Sequence, residues 1–324
     1  MEERFLVTGA TGCIGAWTVR NLVREGVFTC ILVRGVDLHR PRLIMDEDEI
    51  CRVTFVAGDI TDIDVIGRAL AEHSITHVIH LAAMQLPFCR ANPPLGAAVN
   101  VQGTVNVFEA AKQAGIKHVV YASSTAVYGP RDHYPDGPLV HDAPLSPRSH
   151  YGVYKQANEG TAGVYWREDG ISSVGIRPYV VYGPGRDQGM TSTPTKAMLA
   201  AAAGLPYHIT YGGRFGFQYV DDTARAFIGA ARAETKGAGA FNLGGQTVGI
   251  QDVIREIVNA QPSARDTITY DEVPLPFPEE IDNAPLVALL GGLRVTPLAD
   301  GVRQTIALFK EALADGRIRA DAID

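Results

Sequence analysis

The stretch Phe5-Leu6-Val7-Thr8-Gly9-Ala10-Thr11-Gly12-Cys13-Ile14-Gly15 decides the fold. Phe5–Val7 reads as a short buried strand, and Gly15–Glu25 as a helix closed by Gly26. Three glycines stand between and at the edge of these elements. Glycine has no Cβ, so the loop can turn tightly and bring backbone close to a pyrophosphate. The helix N-terminus behind it offers unpaired N–H donors and a partial positive charge. A glycine triplet alone is a weak signal; its place between a strand and a helix makes it a dinucleotide loop.

Outward from that loop, short β-rich runs alternate with helical patterns. Phe28–Val33, Val53–Val56, His77–Leu81, His118–Ala122 and Ser173–Ile176 read as strands, and Val65–His73, Leu95–Ala114 and Tyr151–Asp169 as helices. This rhythm predicts an α/β fold, a doubly wound parallel sheet of the Rossmann type with helices on both faces. After residue 176 the pattern loosens. Thr195–Ala203, Asp222–Arg232 and Ala299–Ala314 read as helices, Ala240–Leu243 as a strand, and Pro274–Pro285 as a proline-rich stretch. The expected organisation is a dinucleotide domain over residues 1–176, rejoined by 216–245. A smaller, mostly C-terminal substrate lobe takes 177–215 and 246–324.

The whole chain narrows the classes of partner. It has 324 residues, 46% of them hydrophobic and 20% charged, which suits a globular protein with a full core. A net charge of −7 without a run of Lys or Arg argues against nucleic acid. The longest apolar run, Ala197–Leu205, is too short to span a bilayer, so no membrane partner is expected. Cys13, Cys30, Cys51 and Cys89 show neither metal-finger nor Cys-x-x-Cys spacing, so no metal is expected. Free thiols and the absence of a signal-like N-terminus point to a cytoplasmic location.

Tyr151-Gly152-Val153-Tyr154-Lys155 carries the chemistry. Positions i and i+4 of a helix share a face, so Tyr151 and Lys155 point together. A neighbouring ammonium favours phenolate and lets the phenol exchange a proton with a hydroxyl near neutral pH. Upstream, Val120-Tyr121-Ala122-Ser123-Ser124-Thr125-Ala126-Val127-Tyr128-Gly129 leaves a strand at a Ser/Thr cluster, where strand ends face a ligand crevice.

The glycine spacing, the Ser-Ser-x-x-Val-Tyr-Gly run and the Tyr-x-x-x-Lys motif, in that order, resemble the extended short-chain dehydrogenase/reductase family, the NAD-dependent epimerase/dehydratase group. The resemblance runs from Phe5 to about Gly185. It implies a catalytic trio of Ser124, Tyr151 and Lys155, with Ser123 and Thr125 as alternatives to Ser124 or as substrate contacts. It implies cofactor contacts from Gly9, Thr11, Gly12, Cys13, Ile14 and Gly15. Gly58-Asp59-Ile60 matches the loop beneath the adenine, so Asp59 and Ile60 join the cofactor set, as do Leu81, Ala82 and Ala83. Asn100, in Asn100-Val101-Gln102-Gly103-Thr104, helps organise the site and is counted on the cofactor side with Tyr151 and Lys155. Tyr179 and Val180 are expected beside the nicotinamide. A dimer packing Leu95–Ala114 and Tyr151–Asp169 into a four-helix bundle is also implied.

The second strand ends Leu32-Val33-Arg34-Gly35, without the carboxylate that favours NAD. An arginine pairs with a 2′-phosphate, so the cofactor is NAD(P) with a lean to NADP and Arg34 as the clamp. Thr125-Ala126 stands where family dehydratases carry Asp-Glu, which disfavours water loss. Oxidoreduction or epimerisation remains: in the latter, hydride leaves, the ketone turns over and hydride returns. In nucleotide-sugar members an Arg-Asp-Phe-x-x-Val-Asp-Asp run helps hold the diphosphate; here Phe215 takes the Arg place in Arg214-Phe215-Gly216-Phe217-Gln218-Tyr219-Val220-Asp221-Asp222. Asp221 and Asp222 read as helix caps and structural acceptors. Arg186 and Arg214 are the candidate contacts to an anionic group. The expected function is a sugar or nucleotide-sugar epimerase/dehydrogenase acting on a small polyhydroxy substrate. A reductase of a small hydroxy-ketone, sugar acid or secondary alcohol is the alternative, and a non-catalytic dinucleotide sensor a remote one.

Overall fold

The structure is a computed structural model that describes residues 2–35 and 37–320. Residue 1, Val36 and residues 321–324, which fall within the expected domain and lobe boundaries, lie outside the described residues. Twelve strands are present among them: β1 Arg4–Thr8, β2 Phe28–Val33, β3 Thr54–Ala57, β4 His77–His80, β5 His118–Ala122, β6 Ser172–Pro178, β7 Val180–Tyr182, β8 Tyr207–Ile209, β9 Arg214–Tyr219, β10 Ala238–Leu243, β11 Gln246–Gly249 and β12 Ile268–Tyr270. Seven form one sheet in the order β10-β6-β5-β4-β1-β2-β3. Every pairing in it is parallel. The order reverses between β1 and β4, which opens a crevice at the strands' carboxyl ends.

Strand periodicity explains why both faces are covered. Phe5, Val7, Ile31, Val33, Ile79 and Val120 belong to one buried cluster, whereas Leu6, Cys30, Leu32, Val78, Val119 and Tyr121 belong to a second. Alternate residues thus feed opposite helical layers, and the strands read as continuous apolar runs. A three-stranded sheet, β11-β9-β7, and a pair, β12-β8, lie outside the main sheet.

Several element boundaries differ from the sequence reading. The expected helix Leu95–Ala114 is three consecutive pieces: Pro93–Ala97, a π-turn at Ala98–Gln102, and Gly103–Gln113. The helix expected from Asp222 begins at Val220, so Asp221 and Asp222 lie in its first turn and do not cap it. Asp222 accepts from the Thr296 backbone N–H and hydroxyl, and Asp221 from the Asn21 amide, so both tie distant segments to this helix. The proline-rich stretch leads into a short helix, Ala284–Leu290, with Pro285 in its first turn, where its missing N–H leaves no gap in the ladder.

Candidate active site

The crevice is a cleft of about 980 Å³. It extends from Arg34 and Asp59 past the glycine loop to Ser124, Tyr151 and Arg186. Gly9 adopts φ +68°, and a Cβ there would lie 2.5 Å from the Ala82 nitrogen, so the loop can close onto the turn after β4 only with glycine. The helix Cys13–Arg24 begins with no side-chain cap and no acidic residue in its first turn. Its leading amides are therefore left for an external acceptor, which suits the pyrophosphate of a dinucleotide. Thr11, Gly12, Cys13, Ile14, Gly15, Ile60, Leu81, Ala82 and Ala83 line the same cleft. Burial pushes the Cys13 thiol up to about 12, so it is a neutral wall and not a thiolate.

Arg34 also lines the cleft, largely exposed, its guanidinium 3.7 Å from the Asp59 carboxylate. Asp59 in turn accepts from the Thr61 N–H and hydroxyl, both at 2.9 Å, which fixes the loop after β3.

The helix His150–Asp169 carries Tyr151 and Lys155. Ser149 caps it by accepting from the Gly152 N–H at 3.1 Å. A Cβ on Gly152 would run into the Ala126 carbonyl oxygen, so glycine lets this helix pack directly on the Ser124–Val127 turn. That approach sets the Ser124 hydroxyl, which accepts from the Ala126 N–H at 3.1 Å, on the same cleft wall as Tyr151. Burial holds the Tyr151 phenol above its usual range, while the Ser124 hydroxyl and the Arg186 charge pull it down. The sequence reading gave that pull to Lys155. Instead Lys155 lies 5.7 Å from the Tyr151 ring centroid and donates to the Ala122 carbonyl at 2.6 Å. The Lys155 ammonium is itself buried, which lowers its pKa from 10.5 to about 8. The shared helix face is as expected, but the strand-end carbonyl captures the ammonium.

Ser123 and Thr125 line the cleft, yet both are tied into the scaffold. Ser123 donates to Glu159 at 2.5 Å, and Thr125 to the Pro178 carbonyl at 3.4 Å. Glu159 holds Arg177 through 2.6 and 2.7 Å contacts, and Arg177 donates to the Tyr128 hydroxyl at 2.6 Å. This buried network was not anticipated. Its signal was available, since Glu159 continues the i, i+4 row from Tyr151 and Lys155.

Three expected contacts fall elsewhere. Asn100 is buried at the π-turn and clamps Met84, accepting from its N–H at 2.7 Å and donating to its carbonyl at 2.9 Å. It braces the wall and does not line the cleft. Val180 is fully buried in the core, while its neighbour Tyr179 lines the cleft. Arg214 is exposed, is not among the residues lining the cleft, and lies 3.6 Å from Glu279. Asp187, in contrast, was not foreseen: it accepts from Arg40 at 2.7 Å and from His39 at 2.9 Å, while Arg40 also reaches the Thr11 carbonyl.

A parallel sheet with a glycine loop at its switch point, and a Tyr–Lys helix facing a strand-end serine, define a nicotinamide-dependent oxidoreductase of the short-chain type. The chain belongs to the NAD dependent epimerase/dehydratase family, whose model matches residues 5–244. It is similar to the UDP-glucose 4-epimerase of Mycolicibacterium smegmatis, 31% identical over 319 residues, which cover 95% of this chain and 98% of the relative. Among solved structures it resembles the Thermus thermophilus UDP-glucose 4-epimerase in complex with NAD, with a TM-score of 0.80 and 27% identity over 95% of this chain and 99% of that one. MoeE5 in complex with UDP-glucuronic acid and NAD gives a TM-score of 0.78 and 27% identity over 96% of this chain and 100% of that one. The protein is an NAD(P)-dependent epimerase/oxidoreductase of the extended short-chain dehydrogenase/reductase type, acting by hydride transfer at a hydroxyl-bearing carbon. No helix among the described residues is long and apolar enough to cross a membrane.

Proposed function

We propose that the protein interconverts epimers of a sugar or nucleotide sugar, with Tyr151 as acid/base. The arrangement that carries this reading is Ser124, Tyr151 and Lys155 lining one cleft with the glycine loop. The bound nicotinamide supplies the hydride acceptor and donor. Ser124 holds the substrate oxygen, and Tyr151 takes the hydroxyl proton and later returns it. Lys155, anchored on Ala122, keeps positive charge behind the phenol. Relatives named as UDP-glucose 4-epimerases support a nucleotide-sugar substrate. Incubation with UDP-glucose, UDP-galactose and UDP-glucuronate tests it. Product epimer should form without build-up of reduced cofactor, and Tyr151→Phe should lower kcat about 10²- to 10⁴-fold. A Tyr151→Phe protein with full turnover would refute the acid/base role.

A net dehydrogenase of a smaller hydroxy compound is the second reading. Buried Phe215 and the pairing of Arg214 with Glu279 favour it, because they leave the substrate end short of cations for a diphosphate. Steady growth of reduced-nicotinamide absorbance separates the two.

We further infer that NADP is accepted and preferred, with Arg34 as its clamp. The support is the missing carboxylate at the end of β2 and the exposed Arg34 guanidinium at the cleft. Arg34→Ala should cut kcat/KM with NADP about tenfold and leave NAD nearly unchanged. The four free thiols agree with a reducing, cytoplasmic setting.

A further inference from the structure

A second pocket, of about 360 Å³, opens between the helices Cys13–Arg24, Val220–Arg232 and Leu298–Ala314. Small-molecule sites span about 300–1,000 Å³. No residue that lines this pocket lines the active-site cleft. Four arginines line it, Arg20, Arg24, Arg225 and Arg294, against two carboxylates, Glu25 and Asp221. Arg20 and Arg24 share a face because they stand one turn apart on the first helix.

The carboxylates near these arginines are withdrawn from solvent. Arg24 pairs with Glu49 at 2.5 Å; Arg225 and Arg294 share Asp221, each at 3.3 Å, and Arg294 also reaches Asp222 at 3.2 Å. The side chains of Glu49, Asp221 and Asp222 are 8–9% exposed, whereas those of Arg24, Arg225 and Arg294 are 41–53% exposed. Glu25 is engaged by Arg232, which stands outside the pocket, at 2.8 Å. What the pocket offers to water is therefore cationic.

Arg20 goes further. Its guanidinium carbon lies 4.6 Å from the Trp17 ring centroid, and its Nε donates to the Ile44 carbonyl at 3.1 Å. Among the described residues no carboxylate pairs with it. The aromatic face and the carbonyl fix the fork and leave its two Nη groups for an outside acceptor. Burial and the like charge of Arg24 lower the Arg20 pKa, a strain that a bound anion relieves.

We propose that this pocket binds a phosphoryl oxyanion, with Arg20 as its anchor and Arg24, Arg225 and Arg294 around it. The site is additional to the cleft and independent of the reaction proposed there. Phosphoryl oxygens are acceptor-only and multiply charged, which suits several guanidinium forks better than one carboxylate would. The group can belong to a free polyphosphate or to the phosphate chain of a nucleotide.

Calorimetric titration of the full-length protein with pyrophosphate and with ADP tests the site. The protein is saturated with NAD, so that the cofactor's own phosphate loop is filled, and ionic strength is held with sodium chloride. At least one of the two should bind saturably, and Arg20→Met should weaken that binding about 10- to 100-fold. Arg20→Lys should keep part of it. Arg225→Met should weaken it as well, and it keeps the proposal testable if Arg20→Met does not fold. Both variants should retain the native affinity for NAD. Pyrophosphate binding as tightly as ADP assigns a free polyphosphate, and tighter binding of ADP assigns a nucleotide. No saturable binding of either probe, or binding that Arg20→Met and Arg225→Met leave unchanged, would overturn the site.

Discussion

At the scale of single residues, Lys155 makes the sharpest claim. Its ammonium is buried and its pKa falls from 10.5 to about 8, so the unfolded chain binds more protons than the native one between those values. A depressed lysine therefore costs stability at low pH, and that cost fades as pH rises from about 8 to 10.5. Native protein should gain up to about 3 kcal/mol relative to Lys155→Met across that window, measured by urea unfolding at several pH values. A flat difference would mean that the ammonium is solvated. The same residue shows how far motif reading reaches. Helix spacing placed Lys155 beside Tyr151, but only packing put the Ala122 carbonyl within 2.6 Å of its ammonium. The pull on the phenol consequently comes from Ser124 and Arg186, neither of which is close to Tyr151 in the chain.

At the scale of elements, the site depends on how closely the helix His150–Asp169 sits on the turn after β5. Gly152 permits the contact with Ala126. Gly152→Ala must push that backbone apart, so kcat should fall at least about tenfold while the far-ultraviolet circular dichroism stays native. Unchanged kcat would show that the helix can slide without loss. The opposite wall is braced by Asn100 in the π-turn Ala98–Gln102. Asn100→Leu leaves the Met84 N–H unpaired and its carbonyl with only the Cys89 thiol at 3.3 Å, and should destabilise the fold by about 1–3 kcal/mol in denaturant titration. Periodicity of apolar residues sees a helix through this segment because a π-turn barely disturbs the buried stripe. The clamp on Met84 is a contact across 16 residues, invisible to any local pattern.

At the scale of the whole molecule, the cleft has a clasp. Arg40 and His39, just after β2, hold Asp187 from the substrate side, and Arg40 also holds the glycine loop through Thr11. The Asp187 and Asp37 carboxylates raise the His39 pKa, with Asp187 the larger cause. A raised histidine pKa means the ionic part of the clasp is present at low pH and is lost as pH climbs through the folded value. Asp187→Asn should speed cofactor release about tenfold in stopped-flow displacement, an effect largest at the acid end. The clasp would be dispensable if release stayed at the native rate. On the outer surface, Val153 and Val164 are 48% and 40% exposed on one helix, three turns apart, with exposed Leu95 on the segment before the π-turn. We propose that this face forms the four-helix dimer bundle. Val153→Glu with Val164→Glu should give a monomer in light scattering if it does.

The sequence by itself determined the strand–helix rhythm, the glycine loop and the Tyr–Lys pair, because each rests on residues within a few positions of one another. Backbone sterics and helix periodicity act at that range. The tertiary structure alone decided that Arg214 pairs with Glu279, that Val180 is buried, that Asn100 braces Met84, and that Arg186 lines the cleft with Tyr151 while its buried Nε has no partner. Those outcomes depend on which side chains meet across dozens of residues, where a charge is either cancelled by a neighbour or left for a ligand.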